Sequence, residues 1–193
     1  MTGFSEDPQA PYGAPRDSKA FLHWAEQQEG RFEFKNGRIV CLTPNTKRHS
    51  RILTDFAMTL RRQLDPDKWD VLPACFAVEI CDDIRCPDVV VERRSTDGSE
   101  VSTSTPNVLV EVLSLSSLYR DKFEKLAEYT SLASLECYIV ASQDEPIVWV
   151  WQRDAATRAF PKIPNEIGDR DGTIEISALE LSLPLSELFR AIL

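Results

Sequence analysis

With 193 residues, 42% of them hydrophobic, four Trp and nine Phe, the chain has the makings of one folded domain and is too short for two of ordinary size. Its 31 Asp and Glu against 22 Lys and Arg give a net charge of −9 and exclude nucleic-acid binding through overall charge, so any phosphate contact would need cations gathered locally. Five cysteines with no Cys-x-x-Cys pair point to buried free thiols in a reducing compartment, and the lack of a run near the ~20 apolar residues of a membrane helix, or of a signal peptide, makes a cytoplasmic protein the expectation.

Residues 1–16 hold Pro8, Pro11 and Pro15 among small residues without periodicity, which predicts a flexible tail ahead of a single domain over 17–193. Asp17 or Ser18 caps a helix to about Gln28, apolar at Phe21, Leu22, Trp24 and Ala25, with His23 on the surface. Arg31 to Leu42 reads as two strands around Asn36-Gly37, a strong hairpin signal. Glu33 lies between Phe32 and Phe34; from composition it is an exposed position alternating with aromatics, an acid of a site being the alternative. Lys47 to Leu64 repeats Ile52, Leu53, Phe56, Leu60 and Leu64 at helical spacing, with Arg48, Arg51, Arg61 and Arg62 around it. His49, in its first turn, is either a solvated or capping residue or a ligand.

Val71–Ala74, Phe76–Ile80 and Arg85–Val91 then read as strands, and Glu92 to Pro106 as a charged surface loop. Val108 to Leu113 is apolar except for Glu111, the pattern of a strand covered on both faces. A helix is expected over Tyr119–Leu132, strands over Cys137–Ala141 and Ile147–Gln152, an irregular excursion over Asp154–Asp171, a strand over Ile174–Ile176 and a helix over Leu185–Leu193.

The acids within the strand patterns carry the chemistry. A carboxylate in such a place is uncommon and needs a base, a donor or a metal beside it. If the strands bearing Asp88 and Glu111 are neighbours and both acids face one way, the two carboxylates converge and repel unless a cation joins them. Oxygen ligands suit Mg²⁺ or Mn²⁺, and such an ion polarises a phosphate. A lysine alongside orients water or stabilises the charge that builds on the phosphoryl group. The set points to phosphodiester hydrolysis.

Several segments, in order, carry a resemblance: Phe32-Glu33 before Asn36-Gly37; Pro44 and then His49; Cys86-Pro87-Asp88-Val89-Val90; and Val110-Glu111-Val112-Leu113-Ser114, with Glu111 23 positions after Asp88. Asp121, Lys125, Leu126 and Tyr129 follow, then Glu136-Cys137-Tyr138. From about residue 17 onward the chain resembles the Uma-type restriction-endonuclease family of the PD-(D/E)XK superfamily. The resemblance implies an α/β fold with a restriction-endonuclease-like core, a mixed central β-sheet flanked by helices. It also implies metal binding by Asp88 and Glu111 and a third acid at Glu33. In the usual pattern a lysine stands two positions after the second acid, which here is Leu113. The resemblance moves that role to Lys125 on the next helix, with Lys122 as the second candidate.

Without the resemblance, Lys125 reads as an i, i+4 salt bridge to Asp121. His49 would touch phosphate or position Glu33. The expectation is thus a Mg²⁺- or Mn²⁺-dependent endonuclease acting on DNA, its arginines (Arg48, Arg51, Arg61, Arg62, with Arg93 and Arg94) lining one face, and a homodimer among the assemblies open to it. The alternatives are a catalytically degenerate nuclease fold used for binding or assembly, and hydrolysis of another phosphoester.

Overall fold

The computed structural model describes residues 15–114 and 125–190. Most of the expected tail, the helical positions Asp121, Lys122 and Phe123, and the end of the terminal helix lie outside the described residues. Among the described residues, no helix is long and apolar enough to cross a membrane.

Helix α1 (Ser18–Ala25) starts where the Asp17 carboxylate accepts the Ala20 N–H at 2.8 Å. It lays Phe21 on Phe34, ring centroids 5.3 Å apart, over a five-stranded sheet. That sheet contains β1 (Phe32–Lys35), β2 (Arg38–Cys41), β4 (Ala77–Ile80), β5 (Asp83–Arg85) and β7 (Ser102–Thr103), in the order β2-β1-β5-β4-β7. Asn36 and Gly37 turn between β1 and β2 with φ of 49° and 74°, the left-handed backbone that this dipeptide accepts at little cost.

The central sheet is mixed. It orders β11 (Asn165–Ile167), β10 (Val148–Gln152), β9 (Cys137–Ser142), β8 (Val108–Leu113), β6 (Val89–Arg93) and β3 (Trp69–Pro73), with β8 and β9 parallel and the other pairs antiparallel. Strand side chains alternate between its faces. Val89, Val91, Val108, Val110 and Val112 share a core with Ile52, Phe56 and Leu60 of α2 (Lys47–Gln63). The hairpin of β12 (Thr173–Ile176) and β13 (Leu181–Pro184) and the short helix α4 (Leu185–Leu188) close the same core. Val90, Leu109 and Leu113 turn to the other face and pack with Tyr129, Tyr138 and Trp151. Tyr129 belongs to α3, whose described part covers 125–130.

Several expectations are corrected. The run Arg85–Val91 is not one strand: Pro87 has no N–H for a ladder, the pairing stops, and Cys86-Pro87-Asp88 steps from β5 in one sheet to β6 in the other. The loop over Glu92–Pro106 contains the end of β6 and the two-residue β7, and the excursion over Asp154–Asp171 contains β11. Strand β13 was not foreseen; the last helix starts at Leu185 as expected and ends at Leu188. The thiols are not all free and buried: Cys75 and Cys86 form a disulfide, their Cα atoms 4.6 Å apart, while Cys41 and Cys81 are exposed and only Cys137 is a buried free thiol. The β4–β5 hairpin brings its two flanking residues face to face, a proximity that spacing along the chain does not reveal.

Candidate active site at the junction of the sheets

Asp88 lies at the step between the sheets. The antiparallel register of Val89 with Val110, continued by one residue, sets Asp88 opposite Glu111, where Glu111 meets α3 and Asp88 meets His49 of α2. Glu111 also sits near the C-terminal end of β8, beside the parallel strand β9, where open sheets hold ligands. Both are almost wholly buried, at 5% and 4% exposure, and both line a cleft of about 400 Å³. Asp88 Oδ2 accepts the Val112 N–H at 2.8 Å and faces His49 Nε2 at 3.1 Å. Among the described residues, nothing donates to Asp88 Oδ1 or Glu111 Oε2.

Glu111 Oε1 takes two donors, Lys125 Nζ at 2.9 Å and the Tyr129 hydroxyl at 2.8 Å. Residues 125 and 129 are one turn apart on α3, so the helix presents both to the same oxygen. Burial pushes the Glu111 carboxyl up to about 7; the Lys125 charge pulls it back, and the charges of Asp88 and Glu33 push it further up. Burial works against the Lys125 ammonium, yet Glu111 and Glu33 hold its pKa above the usual lysine value. Tyr129 is raised well above the usual phenol range by burial and by Glu111, and stays a donor.

Glu33 is buried rather than exposed. Its Oε1 accepts Lys125 Nζ at 2.9 Å and the Cys86 N–H at 3.2 Å, and its Oε2 accepts Arg85 Nη1 at 2.8 Å. Burial alone would raise this carboxyl, but Lys125 and Arg85 bring it below its ordinary value. Residues Phe32 and Phe34 turn toward α1, so Glu33 takes the opposite face, which Arg85, Cys86 and α3 cover.

His49 meets Asp88 and not Glu33, and its buried Nδ1 has no hydrogen-bond partner among the described residues. Thr46, the N-cap of α2, fixes it by accepting the His49 N–H at 3.1 Å. The structure therefore brings His49, Asp88, Glu111 and Lys125 to the wall of one cleft, with Glu33 joined to them through Lys125. It does not gather the arginines: Arg61 donates to the Trp69 carbonyl, Arg62 pairs with Glu187, Arg93 lies on the Trp69 ring, and Arg94 donates to the Pro66 carbonyl. Among the described residues, Arg31 is the arginine on the cleft wall, held by Thr43 and Asn45.

Arg85, Glu128 and Tyr129 were not singled out from the sequence as parts of the site. Arg85 had a signal of its own, since a cation inside a strand pattern demands a partner as an acid does. The donor set fits a hard divalent ion. Among the described residues, no group of three or more His, Cys, Asp or Glu is placed to hold a metal. Two carboxylates, each with one oxygen open among the described residues, suit Mg²⁺ or Mn²⁺, which bind through one or two carboxylates and keep several waters, and do not suit a closed zinc site. Burial raises Glu111 most and the Asp88 charge adds to it; that added repulsion is what a cation between the acids would relieve.

A mixed sheet with helices on both faces, and paired acids at the ends of its central strands, defines a restriction-endonuclease-like fold. A crystal structure described as "a putative nuclease belonging to DUF820 from Anabaena variabilis ATCC 29413" superposes with a TM-score of 0.73 over 93% of this chain and 100% of that one, at 16% identity. The family model "Uma2: Putative restriction endonuclease" matches residues 18–185, and the chain belongs to that family. Two Synechocystis proteins are similar: uncharacterized protein sll1609, 25% identical over 64% of this chain and 72% of its own, and uncharacterized protein slr1290, 28% identical over 72% and 74%.

Proposed function

We propose that the protein is a divalent-metal-dependent endonuclease that hydrolyses phosphodiester bonds in DNA. The observation that carries this reading is that Asp88 and Glu111, one residue beyond the Val89–Val110 pair of β6 and β8, line one cleft, with Lys125 Nζ 2.9 Å from Glu111. Asp88 and Glu111 would hold Mg²⁺ or Mn²⁺, which when bound supplies Lewis-acid stabilisation of the phosphate charge. Val112 N–H and His49 orient Asp88, and Tyr129 orients Glu111.

Lys125 keeps its proton because two carboxylates surround it. It therefore acts as a cation and donor toward the phosphoryl oxygens, and not as the base that accepts a proton from water. The family's description as a restriction endonuclease and the cleft that both acids line support this reading.

Incubation with duplex DNA, single-stranded DNA, RNA and a small phosphodiester, with Mg²⁺ or Mn²⁺, tests the reading. Cleavage of DNA is expected, abolished by chelation and reduced at least ~100-fold in Asp88→Ala and Glu111→Ala. Equal products from wild type and both variants would remove the catalytic assignment. Cleavage of the small diester alone would move the substrate to another phosphoester.

A further inference from the structure

The partners of Lys125 form a chain of ion pairs, closed through the backbone of α3, that the cleavage chemistry does not itself use. Glu33 and Arg85 are cross-strand neighbours, because β1 and β5 pair through Phe34 and Ile84, and Arg85 Nη1 meets Glu33 Oε2 at 2.8 Å. The other edge of the guanidinium grips both oxygens of Glu128, through Nε and Nη2 at 2.7 Å each. Glu128 and Lys125 are i, i+3 neighbours on α3, and Lys125 returns to the free side of Glu33 at 2.9 Å. The path leaves the helix at Glu128, crosses Arg85 and Glu33 in the five-stranded sheet, and re-enters the helix at Lys125.

The geometry has a purpose that sequence position explains. A lysine two residues after the second acid would take its place from a rigid strand, but here that position is Leu113. An ammonium on a four-carbon stem from a helix has many rotamers and needs another anchor. Glu33 supplies one. Its own freedom is removed by Arg85 and by the Cys86 N–H, so both oxygens are committed and neither turns toward the two acids across the cleft.

We infer that Arg85 is a positioning residue for this site: it locks Glu33, and the locked Glu33 clamps Lys125 Nζ against Glu111, which makes Glu33 the lysine's anchor instead of a third metal ligand. The inference rests on the cleavage reading only where it gives Lys125 its task; the clamp itself is a property of the folded chain. Glu128 is the outer half of the same lock, about one-fifth exposed and approached by Lys35 at 3.6 Å.

The test has two readouts. In the first, lysines are acylated by acetic anhydride and quantified by peptide mass spectrometry. Arg85→Lys keeps the charge but offers one point donor to two carboxylates, and it is expected to label Lys125 several-fold faster than wild type, with exposed Lys68 unchanged. In the second, single-turnover cleavage with saturating Mg²⁺ falls about tenfold or more in Arg85→Lys while the Mg²⁺ midpoint stays put, and falls no further when Arg85→Lys is added to Lys125→Ala. Unchanged Lys125 labelling, or independent losses that multiply in the double variant, would overturn the inference. Faster labelling in a protein that cuts no substrate would retire the nuclease reading and leave the clamp standing. Should Arg85→Lys not fold, Glu128→Gln releases the outer edge of the guanidinium from a partly exposed position; a smaller rise in Lys125 labelling is expected there, and none would count against the clamp.

Discussion

Glu111 sets how the site responds to pH. Its carboxyl is pushed up to about 7 in the fold, above its ordinary 4.5. A group raised in this way binds its proton more tightly when folded, so it contributes stability that is complete below about pH 4.5 and is lost as pH rises through about 7. In thermal melts without metal, Glu111→Gln is expected to flatten the decline in stability between about pH 5 and about pH 8. An identical decline in the variant would show that Glu111 does not titrate in this window. The same proton competes with a cation, so affinity for Mn²⁺ should fall about tenfold for each unit below pH 7.

At the scale of elements, the cap on α2 serves both the helix and the site. Thr46 accepts the His49 N–H, and His49 reaches Asp88. Thr46→Ala is expected to lower stability by ~1 kcal/mol in urea melts and to weaken metal binding as well. A stability loss with unchanged metal affinity would mean that His49 does not orient Asp88. Much of this level was legible in the chain. The period of Ile52, Phe56 and Leu60 gives α2, the unbroken apolar run gives β8, and Asn36-Gly37 gives the first hairpin. The two acids were legible because carboxylates in such runs need partners.

What stayed hidden depends on contacts between distant segments. Alternation with Phe32 and Phe34 puts Glu33 on the opposite face of its strand, but does not say that α3 and Arg85 cover that face. The pairing of β1 with β5, and so of Glu33 with Arg85, is a register across the chain that no local pattern encodes. The disulfide was missed for the same reason, since Cys75 and Cys86 meet only through the β4–β5 hairpin. Pro87 was a readable sign of a broken strand, outweighed by the β-branched residues after it.

For the whole molecule, a charge of −9, with Arg61, Arg62 and Arg94 held by backbone and side-chain partners, argues against a long phosphate track among the described residues. Arg31 lies on the cleft wall, and Lys47, Arg48 and Arg51 lie on the first turns of α2, with Arg48 already 3.6 Å from Asp144. DNA binding measured in Ca²⁺ is therefore expected to weaken only gently with salt, with a log–log slope near −3 for about three phosphate contacts. A slope several times steeper would require a basic surface that this fold does not present among its described residues. The central claim, that Asp88 and Glu111 share one divalent ion, is tested most directly by Mn²⁺ binding followed by electron paramagnetic resonance at about pH 8 in wild type, Asp88→Ala and Glu111→Ala. One ion per chain in wild type and loss of that ion in both variants is the expected result; equal binding in all three proteins, or none in wild type, would contradict it.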